Sequence, residues 1–251
     1  MAASMLYQHR LDNLGKAFAM RNVHPVVVKG QSIADMAYPP EQLRLSADVD
    51  ILAGDDDKTI VQVLLELGYR QQPRHSRFFP FEEKVFHHHD LTLPPVVEVH
   101  QLLDKILLRP IPYAEIIARS RSSGRTGIRY PTIEDLVLLV VLHASSDPYF
   151  DAVRVERDLR YLLACNGLDM ELVQQRARQW QLSRALKRLL AKQYPRNGSH
   201  NAEARLGNAY RFFATQLGWH DSAATVCRGL LYYAWARLCD RLVFWRMQQA
   251  A

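Results

Sequence analysis

Apolar residues recur at helical spacing over 4–21 and then give way to a short unbroken run at 26–28, within a segment 26–29. The first pattern predicts an amphipathic helix and the second a buried strand. Gly30 opens a second helical stretch, 31–38, which Pro39-Pro40 ends because proline has no N–H to donate. After the linker YPPEQLRLSA, residues 48–52 place β-branched Val49 and Ile51 among two aspartates and predict a strand. Gly54 marks a turn, and Asp55, Asp56 and Asp57 start a helix where acids complement its dipole. Gly68 stops that helix. The polar stretch RQQPRHSRFFPFEEK reads as a loop, and two further strands are expected at 85–91 and 96–102 around Pro94-Pro95. A short edge strand fits near Ile128. From Thr132 onward the pattern is helical only, with Thr132 as a cap ahead of Glu134 and Asp135. Further helices are expected at 150–164, 169–180, 182–194, 203–217 and 221–248, interrupted by the breaker QYPRNGSHN. Strands alternating with helices, then helices alone, predict an α+β fold. Its parts are a core with a small mixed β-sheet, residues 1–130, and a C-terminal helical subdomain, residues 131–251.

The chemistry concentrates on two of these strands. Asp48 and Asp50 are two apart, so their side chains leave one strand on the same face. Glu98 lies in VVEVH, a second strand. If the two strands are neighbours, three carboxylates converge, an arrangement that repels itself unless a cation sits among them. Hard oxygen ligands suit Mg²⁺ (or Mn²⁺), which commonly also engages substrate phosphates. Upstream, Lys29-Gly30 joins a strand to a helix. Glycine lets the chain turn tightly there, the helix start offers N–H groups to a phosphate, and lysine adds a point charge. Arg44, four residues before Asp48, is placed to bridge to a phosphate or to a carboxylate.

Lys29-Gly30, Arg44, Asp48-Val49-Asp50 and Glu98-Val99-His100 together resemble the pattern of the uncharacterised nucleotidyltransferases, within the DNA polymerase beta-like superfamily. The likeness extends through Leu67-Gly68-Tyr69, through Pro131 to Leu136 with Leu142-His143-Ala144, and through Asp158-Leu159, so that it spans about residues 20–165. Two positions depart from it. Ala47 stands where serine often precedes the first aspartate, and Gln101 follows His100 in place of an aromatic. The resemblance implies transfer of a nucleoside monophosphate from an NTP to an acceptor. Asp48, Asp50 and Glu98 would serve as catalytic metal ligands, Glu98 also assisting deprotonation of the acceptor. Lys29, Gly30 and Arg44 would contact the nucleotide, and His143 and Asp158 would pin the helical part to the sheet. The acceptor is left open as a small molecule, peptide, protein or RNA. Two other readings of such a fold are a non-catalytic or antitoxin-like binding module and a tailoring enzyme acting on a peptide or antibiotic.

Charge sharpens the division of the chain. Residues 1–150 carry 16 basic and 18 acidic side chains, whereas residues 151–251 carry 16 and 8. The basic half reads as a solvated arginine-rich helix surface, or as a patch drawing in polyanions. Three cysteines without a CxxC argue against a disulfide scaffold or zinc ribbon and fit a reducing cytosol. Neither a signal peptide at the N-terminus nor a run of ~20 apolar residues is evident, so stable membrane insertion is not expected. His87, His88 and His89 read as ordinary strand residues, because zinc needs three or four converging ligands. His100 shares a face with Glu98 and belongs either to the cleft or to the core. Leu231, Trp235, Leu238, Leu242 and Trp245 form an apolar stripe on the last helix, for packing within the subdomain or for an oligomer contact. Nucleophilic hydrolases and P-loop or dinucleotide enzymes are disfavoured, as GxSxG and the glycine-rich fingerprints are missing.

Overall fold

The computed structural model describes residues 2–249 except 43, 45, 47, 74–82, 91, 105–108, 147–150 and 194–218. The expected helix at 203–217 therefore lies outside the described residues. In chain order the elements are α1 (Ala2–Met20), β1 (Val26–Val28), α2 (Gly30–Ala37) and β2 (Asp48–Leu52). Next come a 3₁₀ turn (Gly54–Asp56), α3 (Asp57–Glu66), β3 (Arg70–Gln71), β4 (Lys84–His87), β5 (Val96–His100), α4 (Tyr113–Arg119), β6 (Arg121–Ser122) and β7 (Arg129–Tyr130). The chain continues through α5 (Ile133–Ser146), α6 (Ala152–Leu163), α7 (Met170–Gln179), α8 (Ser183–Leu190) and a long last helix, α9 (Ala223–Gln249).

Among the described residues, seven strands form one mixed sheet in the order β3-β4-β5-β2-β1-β7-β6. β2 and β5 are parallel neighbours, with Asp50 opposite Glu98 and Leu52 opposite His100. β1 runs antiparallel to β2, with Val28 opposite Asp50. Alternation then assigns the faces. Val27, Val49, Ile51, Val97 and Val99 point into a core closed by α1 and α3, through residues such as Leu11, Leu14, Ile60 and Leu64. Val26, Val28 and Leu52 point the other way, into a core shared with α2 and with α5 to α8. Asp50, Glu98 and His100 lie on this second face. Helical and sheet parts thus share one apolar cluster.

α5 is the centre of the helical layer. Leu136 to Leu142 are all buried, and a helix apolar on every side belongs inside a protein. Its buried Asp135 is held by Arg119 and Arg176, so the charge entering the core is paired. On the opposite layer α1 packs directly against the chain before β7. A Cβ on Gly15 would meet the Thr126 carbonyl at 2.3 Å, and Gly127 turns there with φ +70°.

His220, ahead of α9, is fully buried. Its Nδ1 accepts the Ser222 N–H at 2.9 Å, so the neutral ring carries its proton on Nε2. Burial and the nearby Arg109 charge depress its pKa to about 4, against the partial pull of Asp104 and Asp221. A histidine with a folded pKa below its unfolded value of ~6.5 stabilises the fold above that pH and ceases to do so as pH falls. Stability is therefore expected to decline between about pH 6.5 and about pH 4, by up to ~3 kcal/mol from this group alone. His220→Gln should flatten that part of a denaturant-midpoint-versus-pH curve. An unchanged slope would remove His220 as its source.

Candidate active site

The site is assembled where β1 passes into α2 beside the central parallel pair. Lys29 takes φ 57° and ψ −138°, a conformation normally left to glycine, and no side chain caps the helix that follows. This strained turn aims the lysine at the sheet. Its Nζ donates to Asp50 Oδ1 at 3.0 Å. His100 Nε2 stands 2.8 Å from the same oxygen and 3.5 Å from Glu98 Oε2. Asp50, Glu98 and His100 therefore converge, with one ligand atom from each inside a 4.8 Å group.

Asp48 does not belong to that group. It stands half-buried at the start of β2, and its Oδ1 accepts the Ser46 hydroxyl at 2.8 Å. The Tyr7 hydroxyl donates to the Asp48 carbonyl at 2.7 Å, tying α1 to the strand. Asp48 nonetheless shares the strand face of Asp50, and its charge acts on both Lys29 and Tyr7.

The charges here are mutually compensated. Burial alone would raise the Asp50 pKa, but the Lys29 charge and the His100 hydrogen bond outweigh it and hold the carboxyl well below its ordinary range. Burial alone would lower Lys29, yet Asp50, with Glu98 and Asp48 behind it, leaves its pKa raised. His100 follows the same logic: burial opposes the cation, and hydrogen bonds to Asp50 and Glu98 raise the pKa overall. The Lys29 ammonium thus offsets carboxylate charge that a divalent cation would otherwise offset, and His100 adds a hydrogen bond to the same oxygen. Two carboxylates and an imidazole fit such a cation, Mg²⁺ by their oxygens and Mn²⁺ by oxygen and nitrogen together.

Gly30 packs where no side chain fits. A Cβ there would lie 2.5 Å from Ser46 Oγ and 3.4 Å from Arg44 Nη1. Arg44 itself is committed to a carboxylate, one of its two expected partners. Its Nε and Nη2 both donate to Asp158 on α6 at 2.7 Å. Asp158 also accepts the Tyr38 hydroxyl at 2.6 Å, while Arg44 Nη1 is buried without a partner among the described residues. The clamp joins the chain entering β2 to the helical layer.

The histidine run diverges. β4 ends at His87, short of the expected 85–91, because the chain turns toward Pro94-Pro95. His87 Nε2 meets Gln72 Oε1 at 3.2 Å. His88 donates from Nε2 to the Leu67 carbonyl and accepts the Asp90 N–H at Nδ1, which fixes its tautomer.

Two contributors were not legible as site residues, Ser46 and Tyr7, whereas Asp158 was expected to pin the helical part and does so through Arg44. Only Ser46 left a signal, a hydroxyl at the same two-residue spacing from Asp48 as Asp48 has from Asp50. No curated protein matches the sequence. The profile of a family described as uncharacterised nucleotidyltransferase matches residues 1–192, which include the strained turn, the paired strands and the Arg44–Asp158 clamp. By this match over most of its length, the chain belongs to the uncharacterised nucleotidyltransferase family.

Proposed function

We propose that the protein transfers a nucleoside monophosphate from an NTP to an acceptor, with release of pyrophosphate and with Mg²⁺ or Mn²⁺ as the required ion. The observation that carries this reading is the in-register pairing of Asp50 with Glu98, beside the Lys29–Gly30 turn, in a chain of this family. Asp48, Asp50 and Glu98 are the proposed ligands, with His100 against two of them. A divalent cation would supply charge neutralisation for the triphosphate and for the oxygens that gain charge in the transition state.

The chain's own groups do the rest. The N–H groups at the start of α2 and the Lys29 ammonium orient the β- and γ-phosphates. Lys29 can reach them by exchanging its Asp50 contact for phosphate once the carboxylates are otherwise neutralised. Glu98, half-buried at the open side of the group, accepts the acceptor's proton as the new O–P bond forms. His100 holds Asp50 in place through Nε2.

Glu98→Gln tests the assignment. It keeps size and hydrogen bonding but removes charge and basicity. NTP binding should largely survive, whereas transfer from labelled NTPs to acceptors in cell extract should fall ~10²-fold or more. Undiminished transfer would show that Glu98 is not the base. Absence of transfer by the wild-type protein with all four NTPs would favour a binding module on the same fold.

A further inference from the structure

The outer face of α6 carries positive charge that the fold does not use. Residues 151–192 hold 9 Lys and Arg against 5 Asp and Glu. The acids of α6 are committed elsewhere. Asp151 caps the helix, accepting the N–H groups of Val153 and Arg154. Glu156 pairs with Lys192 at 3.1 Å, and Asp158 is turned inward to Arg44. Arg154, Arg157 and Arg160 are all exposed and recur at three-residue spacing. Residues three apart are neighbours on a helix, so the three form one strip about 9 Å long. Val155, Leu159 and Leu162 are buried on the opposite side. Arg154 meets Asp151 only at 3.9 Å, with both side chains more than half exposed. Among the described residues, neither Arg157 nor Arg160 has a carboxylate partner.

An aromatic surface adjoins this strip. Arg160 Cζ stands 5.1 Å from the centre of the Tyr161 ring. That ring is tilted against Tyr38 at 4.5 Å, and its hydroxyl donates to Gln42. Tyr161 is thus fixed by three neighbours while still partly exposed. Unstacked bases stack on aromatic and guanidinium planes, and the phosphates of the same strand need a row of cations beside them. A duplex offers the phosphates but keeps its bases stacked inside. A bilayer fits less well, because α6 turns its apolar side to the core and its arginines outward, the reverse of a helix that embeds in lipid. The strip also borders the candidate active site. Arg157 is followed by Asp158, whose partner Arg44 has Nη1 3.4 Å from where a Cβ on Gly30 would be.

We infer that the outer face of α6, with Arg154, Arg157, Arg160 and the adjoining Tyr161, is a binding track for single-stranded nucleic acid. The inference goes beyond the transfer reading and holds whether or not the carboxylates transfer a nucleotide.

Labelled single strands of about 12 nucleotides, RNA and DNA of one mixed sequence, are titrated with the full chain by fluorescence anisotropy, in EDTA and without NTP. Log affinity should fall against log salt with a slope near −2, about 0.7 for each of the three arginines. Arg157→Glu with Arg160→Glu should weaken binding tenfold or more and make the slope shallower. Arg157→Gln with Arg160→Gln replaces that variant if charge reversal unfolds the protein. Tyr161→Ala should weaken binding about fivefold or more and leave the slope unchanged, as loss of a stacking surface does. Lys58→Glu reverses an exposed charge on α3, across the sheet, and should bind as the wild type does. Preference for RNA or for DNA names the kind of strand and upholds the track either way. The track is overturned if neither strand binds, if the same sequence binds equally well as a duplex, or if poly-glutamate of the same length displaces the strand at equal concentration. It is overturned equally by undiminished binding in the folded arginine or tyrosine variants, or by an equal loss in Lys58→Glu. A wild-type protein that binds the strand but transfers nothing from any NTP keeps the track and loses the transfer reading, so the two fail separately.

Discussion

Asp50→Asn is expected to lower nucleotidyl transfer by ~10³-fold or more, the largest functional loss of any single substitution in this protein. Asp50 is the point on which the site converges. One of its oxygens receives both Lys29 and His100, and its partner across the parallel ladder is Glu98. Asparagine keeps the shape but supplies no charge to hold a cation or to offset the ammonium. A ligand readout separates this from a folding defect. Mg²⁺ with an NTP, above their dissociation constants, should raise the wild-type melting temperature by mass action, and Asp50→Asn should lose most of that shift. The same shift in both proteins would exclude Asp50 from the site. The pH dependence of the ligand-free protein gives a third readout. Asp50 has a folded pKa below its unfolded value of ~4, so its stabilisation is present above that pH and is lost as pH falls further. The variant should lack this component of acid destabilisation.

Much of this site was legible because its carriers are local. A strand fixes the face of Asp48 and Asp50 by alternation alone, and VVEVH does the same for Glu98 and His100. That β2 and β5 are neighbours does not follow from periodicity. The sheet itself shows it, with β1 antiparallel on one edge of β2 and β5 parallel on the other. Register then decided what composition could not: Asp50, and not Asp48, lies opposite Glu98. His100 illustrates the same limit. Alternation put it on the face of Glu98, but only the sheet shows its ring between two carboxylates. The short pieces β3 and α4 gave no usable period at two and seven residues, and both are held by neighbours rather than by their own pattern. Arg44 with Asp158 was the least visible pairing. The partners are 114 residues apart, and each is an ordinary surface type until the fold buries it.

That buried pair carries the largest expected effect on stability. Asp158→Ala leaves the Arg44 guanidinium without the carboxylate that takes two of its nitrogens, and the Tyr38 hydroxyl without its acceptor. Only 9% of the Arg44 side chain is exposed, so water cannot replace what is lost. Breaking a buried ion pair from one side costs ~3–5 kcal/mol. In a chain of this size that is a fall of roughly 6–20 °C in melting temperature. Arg44→Lys should recover little, because an ammonium cannot reproduce the two-point contact of the guanidinium. Replacing both partners together, as Arg44→Met with Asp158→Leu, should recover much of the stability, since an apolar pair leaves no charge stranded. Activity is expected to part company with stability in that double variant. Arg44 backs Gly30, and Gly30 packs on the Ser46 hydroxyl that holds Asp48. A methionine there has no reason to keep these contacts, so kcat should stay low in a protein that melts nearly as the wild type does. If the single Asp158→Ala change leaves the melting temperature within ~1 °C, the clamp is not what fastens the helical layer to the strand of the carboxylates. If the double variant regains full kcat together with its stability, Arg44 acts only as a fastener and has no part in positioning the turn.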